Sequence, residues 1–260
     1  MVREGWTPEF LGLVRSYQNE TNWYIRNYAE LDAKVTQTDW LNAHREWIVS
    51  HFWGMGDRAH WWVWKMLVEQ MPESFRFLEI GVYYGSILSL ISLISRKTNR
   101  HVDILGVTPL KPTSDHNFTY TEPEMGFAHN IAMSFNILAP GGPMPYLFMG
   151  MSQETLTITR AKKWSPYDIL YIDGGHVYAN VVSDIHHYCS MVRPGGFVVV
   201  DDASVFLNVP RTNSPGGWKG HDEVSSAIRD TLENDSKWTH LFAVSHNRVF
   251  YHGPRSDFGL

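Results

Sequence analysis

The sequence predicts an α/β protein built on a doubly wound, mostly parallel sheet of seven strands. From residue 75 onward, short apolar runs alternate with amphipathic stretches, the pattern of consecutive strand-helix units. The last two apolar runs are separated only by His246 and Asn247, which indicates an antiparallel hairpin at the end of the sheet. Before residue 70 the pattern is helical, and this part holds eight of the eleven tryptophans, at 6, 23, 40, 47, 53, 61, 62 and 64.

The individual elements follow from the same periodicities. The predicted strands are 75–80, 103–107, 145–150, 168–172, 196–200, 239–244 and 248–251. The predicted helices between them are 86–96, 123–138, 153–161, 177–191 and 222–233. Five strand-helix units closed by the hairpin account for all seven strands.

The N-terminal 70 residues are predicted to form a helical, Trp-rich extension. Its helices are expected at 9–17, 21–28, 39–52 and 57–70, where apolar residues recur every three or four positions. The break at Gly54 and Gly56 leaves Asp57 as the expected N-cap of the last helix. We expect the tryptophans to pack against the sheet or a partner subunit; the alternative is a lid over the site. The division is thus an extension at 1–70, the α/β domain at 71–254 and a loose tail at 255–260.

Composition excludes several classes of protein. A formal charge of −5 argues against nucleic-acid binding, which relies on a basic surface. The single cysteine, Cys189, is expected to be a small core residue and fits a reducing compartment. Residues 1–6 lack an apolar signal-peptide core, and the apolar run 87–94 is too short to cross a bilayer. We expect a cytoplasmic protein without a membrane partner, and the Trp-rich segment leaves a homo-oligomer open.

Two of the predicted strands end on acids. The segment 167–176 (YDILYIDGGH) ends its apolar run at Asp173, and 193–202 (RPGGFVVVDD) ends at Asp201 and Asp202. Strands joined by one helix usually lie side by side, about 4.8 Å apart, so their C-terminal ends meet at the ligand-binding edge of the sheet.

The acid trio requires a counter-charge. Three carboxylates cannot stay ionised together without one, and no Lys or Arg lies in these turns, so a hard divalent cation is the natural ligand. Because consecutive strand residues point to opposite faces, Asp201 and Asp202 can both bind it only if the chain leaves the strand at Asp201. The alternatives are that Asp202 caps a turn and that Asp201 binds a neighbouring backbone.

A glycine-containing turn joins the first strand of the α/β domain to its first helix. In the segment 78–86 (LEIGVYYGS), Gly81 and Gly85 would let the backbone approach a ligand at the helix N-terminus. The spacing is G-x-x-x-G and not the dinucleotide G-x-G-x-x-G, which argues against NAD. The alternative is an ordinary strand-helix turn.

Together these three segments resemble class I S-adenosylmethionine-dependent methyltransferases over about residues 73–252. More narrowly, they resemble the metal-dependent macrocin and sugar O-methyltransferases that tailor macrolide and aminocoumarin natural products. The resemblance implies a Rossmann-like methyltransferase sheet and S-adenosyl-L-methionine as cofactor. It also implies Mg²⁺, or alternatively Mn²⁺ or Ca²⁺, held by Asp173, Asp201 and Asp202. The first 70 residues carry no such resemblance.

The resemblance further implies which residues contact the cofactor. They are Glu79, Gly81, Tyr83, Gly85, Ser86, Thr108, Ser152 and Asp173. Ser152 belongs to the stretch 149–152, which is similar to the segment that contacts adenine in such enzymes. One departure is Thr108, which stands where the family has an acid that binds both ribose hydroxyls. Threonine can make one hydrogen bond but not that bidentate charged contact.

His176 is the expected catalytic base, next to Asp173 as the other catalytic residue. It follows Asp173 by three positions and has a suitable intrinsic pKa, and the resembling macrolide-sugar enzymes carry a histidine at this offset. The alternative is a loop histidine that caps the following helix. The expected substrate contacts are Tyr178, Trp218, His221 and His60, of which Trp218 and His221 belong to the long loop 210–221. For His60 the alternative is core packing, and Asp184 and His186 are expected to be solvated.

The favoured function is therefore Mg²⁺-dependent O-methylation of a small-molecule hydroxyl, on a sugar or a glycosylated natural product. The alternative is a protein that keeps the fold but uses the metal for another reaction or has a binding role, and Thr108 favours it. A nicotinamide oxidoreductase ranks third, because both the glycine fingerprint and the ribose acid are missing.

Overall fold

The computed structural model describes residues 5–54, 56–115, 118–121, 123–210 and 218–260. The strands are β1 (Ser74–Ile80), β2 (His101–Thr108), β3 (Thr113–Asp115), β4 (Phe118–Tyr120), β5 (Tyr146–Met149), β6 (Tyr167–Ile172), β7 (Val192–Val200), β8 (Trp238–Val244) and β9 (Asn247–His252). The helices are α1 (Pro8–Ser16), α2 (Thr21–Thr36), α3 (Asp39–Ser50), α4 (Ala59–Glu69), α5 (Ser86–Lys97), α6 (Phe127–Leu138), α7 (Thr155–Lys163), α8 (Tyr178–Tyr188) and α9 (Asp222–Asp230). None of the described helices combines the length and apolarity that crossing a bilayer requires.

Seven strands form the main sheet, in the order β5-β2-β1-β6-β7-β9-β8. Strand β9 is antiparallel to both of its neighbours, and the other pairs are parallel, as the sequence predicts. Every residue of β6 is buried, which is typical of a parallel strand covered by helices on both faces. The two short strands β3 and β4 pair outside this sheet and were not predicted, because three residues are too few to show an alternation.

The N-terminal helices pack against the sheet. Trp64 of α4 meets the rings of Phe77 and Tyr171 edge-on, with centroid distances of 5.8 and 4.9 Å. Helix α2 is longer than expected, because Leu31 and Val35 continue its buried face at four-residue spacing. The extension therefore shares one apolar core with the α/β domain. A contact with a partner subunit stays a prediction.

The C-terminal tail is ordered by an aromatic contact, and its prediction as a loose segment is wrong. Residues Arg255–Phe258 form a 3₁₀ turn in which Phe258 is 0 % exposed. Its ring stacks on Trp6 at 5.1 Å and meets Tyr251 edge-on at 4.9 Å. The Arg15 Nε also donates a hydrogen bond of 2.8 Å to the Phe258 carbonyl oxygen. A single apolar residue thus fastens the chain end to the N-terminal helices.

We predict that Phe258→Ala lowers the free energy of unfolding by about 3–5 kcal/mol, because it removes a fully buried ring and leaves a cavity. Denaturant titration measures the loss. Leu260→Ala is the control at an exposed position of the same tail and should change stability by less than about 0.5 kcal/mol. Equal midpoints for Phe258→Ala and the wild type would mean that the tail contributes nothing to the fold.

Candidate active site

The strand ends β1, β6 and β7 place two acids side by side. Strand pairing aligns Ile80 with Ile172 and Ile172 with Val200. The backbone bonds continue for one further residue, from the Asp173 N–H to the Ile80 carbonyl at 2.9 Å and from the Asp201 N–H to the Ile172 carbonyl at 3.0 Å. Asp173 and Asp201 therefore stand next to each other at the carboxyl edge of the sheet.

Asp202 turns back toward the same edge. Its φ of +52° lies in the left-handed region, so the chain leaves the strand here. The Asp202 Oδ2 lies 3.5 Å from the Nε2 of His176 and 3.6 Å from the Nε2 of His221. Trp218 donates from its indole N–H to Asp202 Oδ1 at 2.5 Å. Because strand β7 ends before these two residues, Asp201 and Asp202 can face one site.

A glycine brings the second histidine to this acid. Gly220 has a φ of +99°, and a Cβ atom there would lie 1.9 Å from the Asp202 carbonyl oxygen, so only glycine allows this approach. The next residue, His221, donates its backbone N–H to the same oxygen at 2.9 Å. Of the predicted substrate loop 210–221, residues 211–217 lie outside the described residues.

The two imidazoles of the site lie together. His176 and His221 stack with a centroid distance of 4.7 Å, and Trp218 meets His221 edge-on at 5.1 Å. The Nε2 of His176 is also 3.9 Å from Asp173 Oδ1. Imidazole groups thus line the acids on one side, which is where a base acting on a bound hydroxyl would need to be.

The acids repel one another in a partly desolvated position. Burial first, and the neighbouring Asp173 second, raise the pKa of Asp201 to about 8. Burial and then Asp201 raise the pKa of Asp202 to about 6. The pKa of Asp173 is raised by burial too, although 30 % of its side chain faces solvent. A divalent cation bound by these carboxylate oxygens would offset both the burial and the repulsion.

Histidines take part in each possible cation-binding group of the described residues. In three groups, one ligand atom per side chain lies within 4.8 Å of the others: His176, Asp202 and His221; Asp201, Asp202 and His246; and Asp57, His60 and His246. Asp173 belongs to none of them. Sequence reasoning missed His246, although it places the two-residue hairpin turn at the end of the sheet. The signal was the position of that turn beside the strand that ends in Asp201.

His60 is a buried residue and not a substrate contact, so that prediction is wrong. Its side chain is 5 % exposed, and its Nε2 lies 2.7 Å from the Val244 carbonyl oxygen. The Nδ1 accepts from the Asn247 amide at 2.9 Å. Burial lowers the pKa of His60 to about 4, so the ring is neutral near pH 7. The core-packing alternative holds.

Asp57 has another partner than the helix that follows it. Helix α4 begins at Ala59 without a side-chain cap, so the N-cap prediction is wrong. The Asp57 carboxylate instead accepts a hydrogen bond from the Ser245 hydroxyl. The N-terminal extension is thereby joined to the β8–β9 turn.

The glycine turn lies directly beside the acids. A Cβ atom on Gly81, whose φ is +93°, would lie 1.9 Å from the Asp173 carbonyl oxygen. Glu79 is buried beneath the turn, and burial first and Asp173 second raise its pKa well above the usual range. Its Oε2 has no hydrogen-bond partner among the described residues. The turn therefore ends over a buried carboxyl group with one oxygen left for a ligand.

Aromatic rings flank the same turn. Tyr83 has a φ of +46° and stacks on Tyr84 with a centroid distance of 3.8 Å. Both rings lie near Phe127 of α6, and Trp53 meets Tyr84 edge-on at 5.6 Å. The predicted contact residues Gly85 and Ser86 follow, Gly85 with a φ of +78° and Ser86 as the first residue of α5. This half of the edge is apolar and aromatic, and the other half is acidic.

The other two predicted cofactor contacts are held by the protein itself. Thr108 is buried, and its hydroxyl oxygen accepts from the Leu110 N–H at 3.2 Å. Ser152 is buried, and its carbonyl oxygen accepts from the Tyr188 hydroxyl at 2.8 Å. Whether either residue also contacts a cofactor stays a prediction.

Asp184 is an anchor for the segment after β5, and its prediction as a solvated residue is wrong. It is 0 % exposed and accepts from the Gln153 side-chain amide at 3.3 Å. Burial raises its pKa to about 7. A carboxyl group on α8 therefore fixes the backbone that starts α7.

The remaining predicted substrate contacts lie at the rim. Trp218 is 45 % exposed, although its indole N–H is used by Asp202. Tyr178 begins α8, where its hydroxyl donates to Asp230 at 3.1 Å and its backbone N–H donates to Glu223 at 2.6 Å. The structure thus leaves two aromatic surfaces open near the acids, and their contact with a substrate stays a prediction.

Comparison with known proteins identifies the domain type. Residues 78–203 match the family model described as a methyltransferase domain. An O-methyltransferase from Bacillus cereus, solved with SAH, superposes with a TM-score of 0.55 at 12 % sequence identity, over 87 % of this chain and 98 % of that one. CalS11, a calicheamicin methyltransferase, superposes with a TM-score of 0.54 at 13 % sequence identity, over 93 % of this chain and 97 % of that one. No curated protein sequence matches significantly. The resemblance to class I methyltransferases is confirmed, and so is their fold.

We predict that Asp184→Asn changes the pH dependence of stability. The pKa of Asp184 in the folded protein, about 7, exceeds the value of 3.8 for a free side chain, so its proton stabilises the fold. This contribution is complete below about pH 4 and is lost as the pH rises through 7. The stability of the variant relative to the wild type should therefore increase by about 2–4 kcal/mol between pH 4 and pH 8.

Chemical denaturation at several pH values measures this difference. Asp39→Asn, at an exposed helix position, controls for the loss of one negative charge. Curves for Asp184→Asn and the wild type that run parallel from pH 4 to pH 8 would contradict the role of burial.

Proposed function

We propose that this chain, whose residues 78–203 match the family model of a methyltransferase domain, is a divalent-metal-dependent O-methyltransferase that uses S-adenosyl-L-methionine. One observation carries the proposal: the glycine turn after β1 lies against Asp173, and β6 and β7 place Asp201 beside that residue. A methyl donor at the turn and a hydroxyl at the acids would then be neighbours. Holding two reactants next to each other removes much of the entropic barrier of a displacement between them.

The cofactor would lie along the carboxyl edge from the turn toward Ser152. There it supplies a methyl group on a positively charged sulfur. The unpartnered Glu79 Oε2 suits a cationic amino group, and the backbone at Gly81 and Gly85 approaches closely enough to receive the methionine part. Asp184 holds the Ser152 segment at the far end. The proposal for the cofactor also draws on solved relatives of this fold that contain SAH.

The metal would be held by Asp173, Asp201 and Asp202. Their raised pKa values indicate carboxylates that lack a counter-charge, and oxygen ligands suit Mg²⁺, Mn²⁺ or Ca²⁺. A divalent cation there would lower the pKa of an acceptor hydroxyl and fix its direction. Bound in this way, an acceptor with two neighbouring hydroxyls would be held through both oxygens, which selects one of them for reaction.

His176 would remove the proton of the acceptor hydroxyl. Its ring lies 3.5 Å from Asp202 and 3.9 Å from Asp173, so two carboxylates would stabilise the imidazolium that forms. The deprotonated acceptor oxygen would take the methyl group that the cofactor supplies, and the sulfur would keep the electron pair of the broken carbon–sulfur bond. His176 would hold the proton until it passes to water.

The acceptor would be a sugar or a glycosylated natural product. The exposed rings of Trp218 and Tyr178 offer flat apolar surfaces at the rim, which suit the C–H face of a sugar. Among solved proteins of this fold, CalS11 is a TDP-rhamnose 3'-O-methyltransferase. The superposition of CalS11 on this protein covers 99 % of the CalS11 chain and 92 % of this chain, at 13 % sequence identity and with a TM-score of 0.51.

A second candidate function rests on Thr108. Its hydroxyl already closes the turn at Leu110, and no acid stands at this strand end to bind a ribose. A protein that keeps the fold and the metal-binding acids, but uses them for a non-methylating reaction or for binding alone, would have no need of such an acid.

We predict that S-adenosylhomocysteine binds the wild type in calorimetric titration with one-to-one stoichiometry, and that methyl transfer to a sugar diol needs a divalent cation. Asp201→Asn should weaken Mg²⁺ binding more than cofactor binding, because it removes one charged ligand. Absence of cofactor binding, with Mg²⁺ and with a chelator, would favour the second candidate function.

We predict that His176→Gln lowers the turnover number by about 10²–10⁴-fold and removes the acid limb of the pH–rate profile, because no base remains. His186→Gln, an exposed histidine of α8, is the control. An unchanged pH–rate profile in His176→Gln would exclude the residue as the base.

A further inference from the structure

The turn between β8 and β9 is unusual because it is buried. Hairpin turns normally lie at the surface, where water satisfies their polar groups. Here Ser245, His246 and Asn247 are all buried. The turn lies beside the acids because β9 pairs with β7, and the Ala203 N–H donates to the His246 carbonyl oxygen at 2.7 Å.

Residues of the N-terminal extension bury this turn. Asp57 accepts the Ser245 hydroxyl, and His60 binds the Val244 carbonyl oxygen and the Asn247 amide. These partners are 188, 184 and 187 residues apart in sequence. Such a set of buried polar groups is held only where its members are bonded to one another. The N-terminal extension therefore contributes polar groups to this edge as well as tryptophans.

His246 lies between two carboxylates. Its Nδ1 is 3.7 Å from Asp57 Oδ2 and 3.3 Å from the Ser245 hydroxyl. Its Nε2 is 3.4 Å from Asp201 Oδ1. One ring thus joins an acid of the N-terminal extension to an acid at the end of β7. The ring is therefore placed where it can link the orientation of one carboxylate to that of the other.

We propose that His246 and Asp57 are positioning residues that hold Asp201 in the orientation for metal binding, so that the N-terminal extension completes the metal centre. The inference rests on the proposed function, since it assumes that Asp201 is a ligand. Groups behind a metal ligand orient it, and losing one typically costs about 10–100-fold in metal affinity.

The group of Asp57, His60 and His246 is not itself a second metal site. Both ring nitrogens of His60 have protein partners, and Asp57 accepts the Ser245 hydroxyl. With these bonds in place the three side chains hold the turn without an ion. The Nε2 of His246 is not part of these bonds and lies next to Asp201.

The test is Mn²⁺ binding, measured by the electron paramagnetic resonance signal of the free ion, together with thermal stability. Asp57→Asn and His246→Asn should each bind Mn²⁺ about 10–100-fold more weakly than the wild type. The amide nitrogen of asparagine lies near the position of Nδ1, so His246→Asn keeps the contact with Asp57 and loses the one with Asp201. Glutamine places its amide nitrogen near Nε2 but has no polar atom near Nδ1, so His246→Gln should bind Mn²⁺ more tightly than His246→Asn and more weakly than the wild type.

His44→Asn is the matched control. His44 is a buried histidine of the same extension, but its ring nitrogens contact Ser89 and Trp61 instead of carboxylates, at 3.1 and 3.0 Å. It should lower the melting temperature and leave Mn²⁺ affinity unchanged. S-adenosylhomocysteine affinity should be unchanged in every variant.

Three outcomes would overturn the inference. Folded Asp57→Asn and His246→Asn proteins with wild-type Mn²⁺ affinity would reduce the contact to a structural one. A loss in His44→Asn equal to theirs would attribute the effect to general destabilisation. In both cases the proposed metal centre would stand. A wild type that binds no Mn²⁺ would overturn the proposed centre and this inference together.

Discussion

The candidate site depends on how parallel strands end. Hydrogen bonding between β1, β6 and β7 continues one residue past each strand, which forces Asp173 and Asp201 to stand side by side whatever their charges. The cost is visible in the pKa values, which burial and mutual repulsion raise to about 8 for Asp201 and about 6 for Asp202. Buried acids that repel one another destabilise the fold unless a counter-charge is bound, so their proximity supports the proposed cation.

The N-terminal extension serves the same edge in two ways. Its apolar side covers the sheet, where Trp64 packs on Phe77 and Tyr171. Its polar side reaches the β8–β9 turn through Asp57 and His60, which pair with groups that water would otherwise have to satisfy. The stability of the extension and the geometry of the acids are thus coupled. Local unfolding of α4 would expose both a hydrophobic face and a buried polar turn, and each makes that opening costly.

Much of the fold could be predicted from the sequence because its strands are continuous apolar runs. The runs that form β6 and β7 end in acids. Only two residues separate the last two apolar runs, which predicts the hairpin. The proximity of Asp173 and Asp201 then follows from topology alone. The features that could not be predicted are contacts between loops and turns that lie far apart in the sequence. Local periodicity carries no information about the contact between Asp57 and Ser245. The burial of Asp184 is different, because this residue lies at helical spacing from the buried Val181, Ile185 and Tyr188, and only its charge suggested exposure.

Thr108 limits the hydrogen bonds that this edge of the sheet can offer to the ribose of a cofactor. The threonine is buried, and its hydroxyl oxygen already accepts the Leu110 N–H, so only its hydroxyl hydrogen and one remaining lone pair are left for a ribose. A carboxylate in its place would accept from two hydroxyls and would carry a charge. Affinity for an adenosyl cofactor must then come from the rest of the cleft. The described structure offers the Gly81–Gly85 turn with Glu79 at one end and the segment that Asp184 anchors at the other. Asp184 holds Gln153, the neighbour of Ser152, before a ligand binds, and pre-organisation of this kind reduces the entropy lost on binding.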